Sequence, residues 1–150
     1  MIDKDYFRSL IKPVLKPAVL VFLKFLQVMN QARLPVPILV YHSLDNSGSL
    51  ISLRPDVFRE QVEFLFRRGY RSLTLSRYAR YLETGKAFPP RAVVLTFDDG
   101  YQNFFTEAFP VLQRHGFTAT VFISPEYIGK PSSFSPDLDL LLMNRDQIKA

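Results

Sequence analysis

Residues 92–100 have the sequence AVVLTFDDG, in which six residues suited to a β-strand lead directly into two carboxylates and a glycine. A continuous apolar run of this length is typical of a strand that is covered on both faces, as in a parallel sheet. Active sites of parallel α/β folds form at the carboxyl ends of such strands. The stretch therefore predicts a buried strand at 92–97, with Asp98 and Asp99 at an edge where chemistry can occur.

Strands and helices alternate on either side of this stretch. We predict a buried strand at 38–41 and further strands at 72–75 and 118–123. We predict a helix that begins near Pro55 with Phe58, Val62 and Leu65 on one face, a helix at 77–84 closed by Gly85, a helix at 104–115 and the start of another within 140–150. We expect Ser76 to cap the helix at 77–84, since a serine hydroxyl accepts the free amides of a helix start. The order of the elements indicates an α/β fold with parallel strands.

The Asp98-Asp99-Gly100 sequence has two explanations on its residues alone. Side chains alternate along an extended backbone, so one carboxylate could bind a metal while the other faces a bound water. Gly100 permits a backbone turn that other residues resist. In the second explanation the two carboxylates cap the helix that follows, near its positive end. Both remain open, because Asp-Asp-Gly is also a common turn sequence.

Composition excludes several classes of site. The 150 residues, 47% hydrophobic and 22% charged, are enough for one globular domain with a hydrophobic core. The absence of cysteine excludes disulfides, cysteine nucleophiles and thiolate zinc sites. Imidazole chemistry is limited to His42 and His115, and we expect His115 to be structural, since it closes a helix before Gly116. The net charge of +5 is spread along the chain without a nucleic-acid-binding signature, so no nucleic acid is predicted as a partner.

Residues 1–34 differ in character from the rest of the chain. Pro17 can open a helix whose broad apolar face lies opposite Lys16 and Lys24. Such a helix either packs against the domain that follows or makes peripheral contact with a membrane surface through residues 17–32. No apolar run approaches the ~20 residues that span a bilayer, and there is no clear cleavable signal. We therefore divide the chain into an amphipathic basic N-terminal helix and linker at 1–34 and an α/β domain at 35–150.

The motif Thr96-Phe97-Asp98-Asp99-Gly100 after an apolar strand resembles the first motif of the polysaccharide deacetylase family, also called NodB-homology or carbohydrate esterase family four. The resemblance extends over residues 36–150. The flanking segments that carry it are Val40-Tyr41-His42, Phe58-Arg59-Glu60-Gln61, Arg68-Gly69-Tyr70, Ser72-Leu73-Thr74-Leu75, Gly100-Tyr101-Gln102-Asn103, Phe109-Pro110-Val111-Leu112 and residues 115–123.

The resemblance implies a distorted (β/α) barrel and the metal-dependent removal of acetyl groups from an N-acetylated cell-surface polysaccharide. It implies that Asp98 is the general base and that Asp99 is a ligand of a divalent metal, zinc. His42 follows the first strand, and the similarity to envelope members of the family implies a catalytic acid at this position. A hydrogen-bonded structural histidine is the alternative for His42.

The chain departs from the family in its metal ligands. The family's two further ligands are histidines in a His-Ser/Thr-x-x-His motif, which the sequence does not contain. Three protein ligands are the usual minimum for a catalytic zinc site. We therefore expect a partial polysaccharide deacetylase domain, incomplete at its C-terminal side and inactive by itself, from a hydrolase of non-peptide carbon–nitrogen bonds in the cell envelope or at a membrane. The alternative is a non-catalytic half barrel that binds a glycan or a partner protein.

Overall fold

The computed structural model describes residues 36–132 and 140–150, together with Val21, Phe22 and Lys24. The chain separates into two compact units, Met1–Leu34 and Pro35–Ala150. In the first unit the three described residues are helical, and the rest of the predicted N-terminal helix lies outside the described residues. No helix in the described part of the chain is long and apolar enough to cross a membrane. The assignment of 1–34 and 35–150 as helix with linker and partial deacetylase domain stays a prediction.

Strands and helices alternate through the second unit. In chain order the elements are β1 (Ile38–Tyr41), β2 (Ser43–Leu44), β3 (Ser52–Leu53), α1 (Pro55–Arg67), β4 (Arg71–Leu73), α2 (Leu75–Thr84), β5 (Ala92–Phe97), a π-helical turn (Phe104–Ala108), α3 (Phe109–His115), β6 (Thr120–Val121), a 3-10 turn (Pro125–Tyr127) and α4 (Arg145–Lys149). The helix expected within 140–150 is thus confined to its last residues.

Strand β5 is the centre of the main sheet, and all six of its residues are buried, as predicted. β1 pairs with one edge of β5, while β4 and β6 pair with the other, and every pairing is parallel. Phe97 lies opposite Tyr41 on one side and Val121 on the other. The carboxyl ends of three neighbouring strands therefore meet at one edge of the sheet, directly before Asp98. The α/β fold with parallel strands is confirmed.

Strand β1 has its predicted bounds but not its predicted burial, whereas β4 and β6 differ in extent from the strands predicted at 72–75 and 118–123. The prediction that β1 is buried throughout is wrong for alternate residues, since Ile38 is 40% and Val40 57% exposed. Side chains alternate along a strand, and no described element covers this face of β1. The strand predicted at 118–123 is limited to β6, because only Thr120 and Val121 are in register with the end of β5.

An aromatic cluster joins β1, α1 and β5. The ring of Tyr41 stacks on Phe97 at 5.1 Å and meets the edge of Phe58 at 5.2 Å. The Tyr41 hydroxyl donates a hydrogen bond of 2.9 Å to Gln61 Oε1 in the interior. Burial raises the pKa of Tyr41, so its phenol stays neutral and keeps this bond. The cluster holds β1 in place against β5 and the helix above them.

Helix α1 buries the face that its apolar spacing predicts. Phe58, Val62 and Leu65 are each no more than 1% exposed. Phe66, one position beyond Leu65, is 51% exposed and only borders the ring of His115 at 4.8 Å. Two phenylalanines on one helix therefore have opposite environments, one in the core and one at the surface.

We expect Phe58→Ala to lower the free energy of unfolding by about 3–5 kcal/mol, because it removes a fully buried ring from the aromatic cluster and leaves a cavity. Phe66→Ala on the same helix is the matched control, and its cost should stay near ~1 kcal/mol. Urea denaturation followed by circular dichroism measures both. Similar losses in the two variants would contradict the assignment of the core.

The cap of α2 is Thr74 rather than Ser76. Thr74 has an extended backbone, and its hydroxyl accepts a hydrogen bond of 3.3 Å from the Arg77 amide. The prediction of Ser76 is wrong because β4 ends at Leu73, so the helix begins two residues earlier than expected. At the other end Gly85 closes the helix with a φ of 64°, as predicted.

Thr74→Ala should cost about 1 kcal/mol of stability, because the Arg77 amide loses its side-chain acceptor. Ser76→Ala should change stability by less than ~0.5 kcal/mol, since Ser76 is exposed within the first turn. Thermal unfolding of the two single variants distinguishes the positions. A larger loss at Ser76 than at Thr74 would show that the cap lies where the sequence pattern placed it.

Candidate active site at the carboxyl end of the central strand

Asp98 continues the strand ladder for one residue beyond β5. Its amide donates a hydrogen bond of 2.9 Å to the carbonyl of Tyr41, the last residue of β1. The Gly100 amide then bonds back to the Asp98 carbonyl at 2.9 Å, which closes a three-residue turn around Asp99. Asp99 has a φ of 68°, in the left-handed region that non-glycine residues seldom adopt. Asp99 therefore lies in a tight turn, and the extended backbone assumed in the first explanation is wrong at this residue.

The turn at Asp99 stores backbone strain. An i to i+2 hydrogen bond around a residue with positive φ is a rare turn, and such strain persists only where the surroundings determine it. Strain of this kind clusters at active sites. The helical segment that follows begins at Gln102, so its N-cap position is Tyr101 and neither Asp98 nor Asp99 occupies it. The explanation in which the two carboxylates cap the following helix is therefore wrong, because neither of them occupies its N-cap position.

Gly100 lets the end of β6 approach the carboxylates. It has a φ of 78°, and a Cβ atom built there would lie 3.4 Å from the Cα of Ile123. Two hydrogen bonds hold the segment after β6, from the Phe122 amide to the Phe97 carbonyl at 2.8 Å and from the Ser124 amide to the Asp99 carbonyl at 3.4 Å. These contacts hold the segment at 122–124 beside the turn that carries Asp99.

An open depression of about 400 Å³ lies at this edge of the sheet. Its walls are formed by Asp98, Asp99, Phe122, Ile123 and Ser124. The volume lies within the range of small-molecule sites. The lining residues include two aspartates and a serine beside Phe122 and Ile123, so the depression combines acidic residues with apolar ones.

His42 lies next to Asp98. Its Nε2 atom is 3.7 Å from Asp98 Oδ2, and each side chain is about one-third exposed, at 35% and 37%. At this separation the two groups attract each other when the imidazole is protonated, and a small molecule can reach both. The structure therefore brings together the two residues predicted as acid and base, although their chemical roles stay predictions.

His115 lies elsewhere in the fold. Its Nε2 atom is 3.3 Å from Glu63 Oε2, and its ring contacts Phe66. Glu63 also accepts a hydrogen bond of 2.7 Å from Arg67, one turn further along α1. These contacts tie the end of α3 to α1, in keeping with the structural role that the sequence suggests.

Sequence reasoning missed a polar network beside His42. The Asp45 carboxylate accepts hydrogen bonds from the Ser43 hydroxyl, from the Ser52 hydroxyl at 2.8 Å and from the Ser47 amide at 2.7 Å. Asn103 Nδ2 donates a bond of 2.7 Å to the Ser43 hydroxyl. Partial burial of Asp45 opposes its ionisation, but these donors outweigh it and hold the pKa of Asp45 below its ordinary value.

The described residues do not complete a metal centre. In residues 36–132 and 140–150 no group of three or more histidine, cysteine, aspartate or glutamate side chains is placed to hold an ion. Asp99 offers a carboxylate, which is a common zinc ligand, but a catalytic zinc normally has three protein ligands. The site thus contains two carboxylates and an imidazole, those of Asp98, Asp99 and His42. The described residues do not give it a full set of metal ligands.

Comparison with known proteins identifies the fold around this site. The family model for polysaccharide deacetylases matches residues 85–149, which include β5, both carboxylates and the segment after β6. These residues are therefore similar to the polysaccharide deacetylase family. The resemblance seen in the sequence is therefore confirmed, and the two carboxylates that follow β5 lie in the family's matched region.

The relatives of this polysaccharide deacetylase segment come from several bacteria. YxkH of Bacillus subtilis is 35% identical over 94 residues, 63% of this chain and 33% of that protein. The poly-beta-1,6-N-acetyl-D-glucosamine N-deacetylase of Escherichia coli K12 is 38% identical over 76 residues, 49% of this chain and 11% of that protein. The chain thus spans at most a third of the length of these two curated relatives.

A solved structure shares the deacetylase fold. IcaB from Ammonifex degensii superposes with a TM-score of 0.65 at 26% identity, covering 76% of this chain and 46% of that one. The described residues therefore form part of the α/β barrel of the polysaccharide deacetylases. The predicted fold class, including its partial extent, is confirmed.

We expect Gly100→Ala and Gly85→Ala to destabilise the chain by similar amounts, about 1 kcal/mol or more, because both glycines have positive φ and each variant carries the same kind of backbone strain. The new methyl at position 100 would lie 3.4 Å from the Cα of Ile123, an ordinary van der Waals distance, and nothing lies within 4 Å at Gly85. Chemical denaturation measures both variants. A much larger loss at Gly100 would contradict this expectation.

Proposed function

We propose that this chain provides the acid–base half of a hydrolase that removes acetyl groups from an N-acetylated cell-surface polysaccharide. The observation that carries the proposal is the approach of His42 Nε2 to within 3.7 Å of Asp98 Oδ2, since Asp98 lines the open depression. Two partly exposed groups that can exchange protons with a ligand thus lie side by side, as general acid–base catalysis requires.

The family match supports the reaction class, and the relatives support the substrate class. The Escherichia coli and Staphylococcus epidermidis relatives are named as deacetylases of poly-beta-1,6-N-acetyl-D-glucosamine. We therefore propose a polymer of N-acetylated glucosamine as the substrate. The apolar wall formed by Phe122 and Ile123 beside the carboxylates suits a sugar ring, which carries C–H faces as well as hydroxyls.

In the proposed reaction Asp98 is the general base and His42 the general acid. The Asp98 carboxylate accepts a proton from a water molecule as the water oxygen bonds to the amide carbonyl carbon. His42 then donates a proton to the nitrogen as the carbon–nitrogen bond breaks. Acetic acid and the free amine leave, and the proton held by Asp98 passes to His42, which returns both side chains to their starting forms.

Asp99 is the proposed metal ligand of this chain. Its carboxylate faces the same depression and can supply one oxygen to a divalent cation such as zinc. The other described side chains do not complete such a site. We accordingly expect the 150-residue chain by itself to release no acetate above background from N-acetylglucosamine oligomers, even with zinc added.

We also propose that the protein acts in the cell envelope or at a membrane surface. The net charge of +5, the basic composition of residues 1–34 and the amphipathic pattern of residues 17–32 support contact with anionic lipid. The substrate proposed above would be found at the same place. Fractionation of the source cells tests the location, and recovery of all the protein with the cytosol would contradict it.

The decisive experiment assays the protein in the form that its source cells produce. We expect acetate release from poly-N-acetylglucosamine to fall by about 10²–10⁴-fold in Asp98→Asn, because the base can no longer accept a proton. Glu83→Gln is the matched control, since it removes one negative charge from an exposed position on α2. The assay detects the acetate or the free amines.

The outcomes separate the two functions considered for the chain. Release that is lost in Asp98→Asn and kept in Glu83→Gln supports the deacetylase. Release that is equal in both variants would exclude the proposed role of Asp98. Oligosaccharide binding without any release, measured on the same preparation, would favour the non-catalytic half barrel.

A further inference from the structure

A buried hydrogen-bond network lies directly behind the proposed acid. Ser43 follows His42 in the chain and is 0% exposed. Its hydroxyl donates to the Asp45 carboxylate, which also accepts from the Ser52 hydroxyl and the Ser47 amide. The Asp45 carboxylate thus accepts hydrogen bonds from three donors in a single segment. We call this segment, residues 42–52, the His42 loop.

The network also reaches the segment that follows Asp98 and Asp99. Asn103 Nδ2 donates a hydrogen bond of 2.7 Å to the Ser43 hydroxyl. Asn103 lies shortly after Asp99 and Gly100, at the start of the π-helical turn. The path from Asp45 through Ser43 to Asn103 therefore joins the loop after β1 to the loop after β5, and each of these loops carries one member of the acid–base pair.

The His42 loop has little hydrophobic packing at its tip to hold its shape. Residues 46–48 are exposed, and Leu50 is fully exposed. Its order comes instead from polar contacts, including backbone bonds from the Ser43 amide to Ile51 and from the Asp45 amide to Leu53. Losing the Asp45 acceptor would therefore free the loop to move, together with the backbone of His42.

The network needs a carboxylate at position 45. An ionised carboxylate only accepts hydrogen bonds, so the Ser43 hydroxyl must donate to it and keeps a lone pair for Asn103. An amide at position 45 would place a donor against Ser43 or Ser52 and upset this order. The donors around Asp45 hold its pKa below the ordinary value, so the carboxylate stays ionised near neutral pH.

We propose that Asp45 is a positioning residue, which acts through Ser43 and Asn103 to hold His42 opposite Asp98. The inference rests on the proposed function, in which His42 and Asp98 are the acid and the base. Asp45 itself touches no reacting atom in this account. Its effect is to keep two loops from separate strands in one relative position.

The test reads the contact between His42 and Asp98 by nuclear magnetic resonance in the 150-residue chain without metal or sugar. The chain has only two histidines, so His42→Gln assigns the ring signals. In the parent chain, Asp98→Asn should shift the His42 ring signals and leave those of His115 unchanged. In the Asp45→Asn background, Asp98→Asn should shift the His42 ring signals by less than about half of their shift in the parent chain. This comparison is a double-mutant cycle, which measures the coupling between the two positions.

Two further variants make the result specific. Asp56→Asn is the matched control, since Asp56 also accepts a hydrogen bond from a neighbouring amide, that of Val57, but lies outside the network. It should leave the response of His42 to Asp98→Asn at its parental size. Asn103→Ala breaks the same bridge from the other loop and should reduce the response as Asp45→Asn does, so it decides the question if Asp45→Asn does not fold.

An undiminished response in a folded Asp45→Asn or Asn103→Ala chain would overturn the proposal. Failure of both variants to fold would overturn it as well, because the network would then hold the fold rather than one geometry. The measurement uses neither metal nor substrate, so it can succeed although the deacetylase function fails. Conversely, Asp98→Asn can abolish acetate release while this test excludes a positioning role for Asp45.

Discussion

The parallel pairing of β1 with β5 is the constraint on which the rest of the site depends. Tyr41 lies opposite Phe97, and the Asp98 amide extends the ladder by bonding to the Tyr41 carbonyl. His42 and Asp98 are the next residue on each strand, so this register alone places them side by side. A slip of one residue would turn every side chain of β1 to the other face of the sheet.

The core beneath the site makes this register rigid. The rings of Tyr41, Phe58 and Phe97 pack together, and burial keeps the Tyr41 phenol neutral and bonded to Gln61. A strained turn such as that at Asp99 persists only where the surrounding structure determines it. The aromatic cluster and the close packing allowed by Gly100 supply that support, so stability in the core and geometry at the edge are linked.

Local patterns predicted the elements whose signal lies within a few residues. The apolar run at 92–97 gave the bounds of β5, and the spacing of Phe58, Val62 and Leu65 gave the buried face of α1. The bounds of β6 and the cap of α2 were wrong. Where a short strand ends depends on which backbone groups find partners on β5, and composition does not encode that choice.

The sequence by itself determined the fold class, the resemblance to the polysaccharide deacetylases and the candidate site residues, because an apolar strand followed by Asp98-Asp99-Gly100 is a local pattern. Only the tertiary structure decided that His42 lies 3.7 Å from Asp98, that Asp99 takes a positive φ and that Asp45 joins Asn103 through Ser43. The first and last of these are contacts between distant segments, and the turn at Asp99 depends on the packing around it. Strand register and packing determine such features, so they cannot be predicted from the sequence of a single segment.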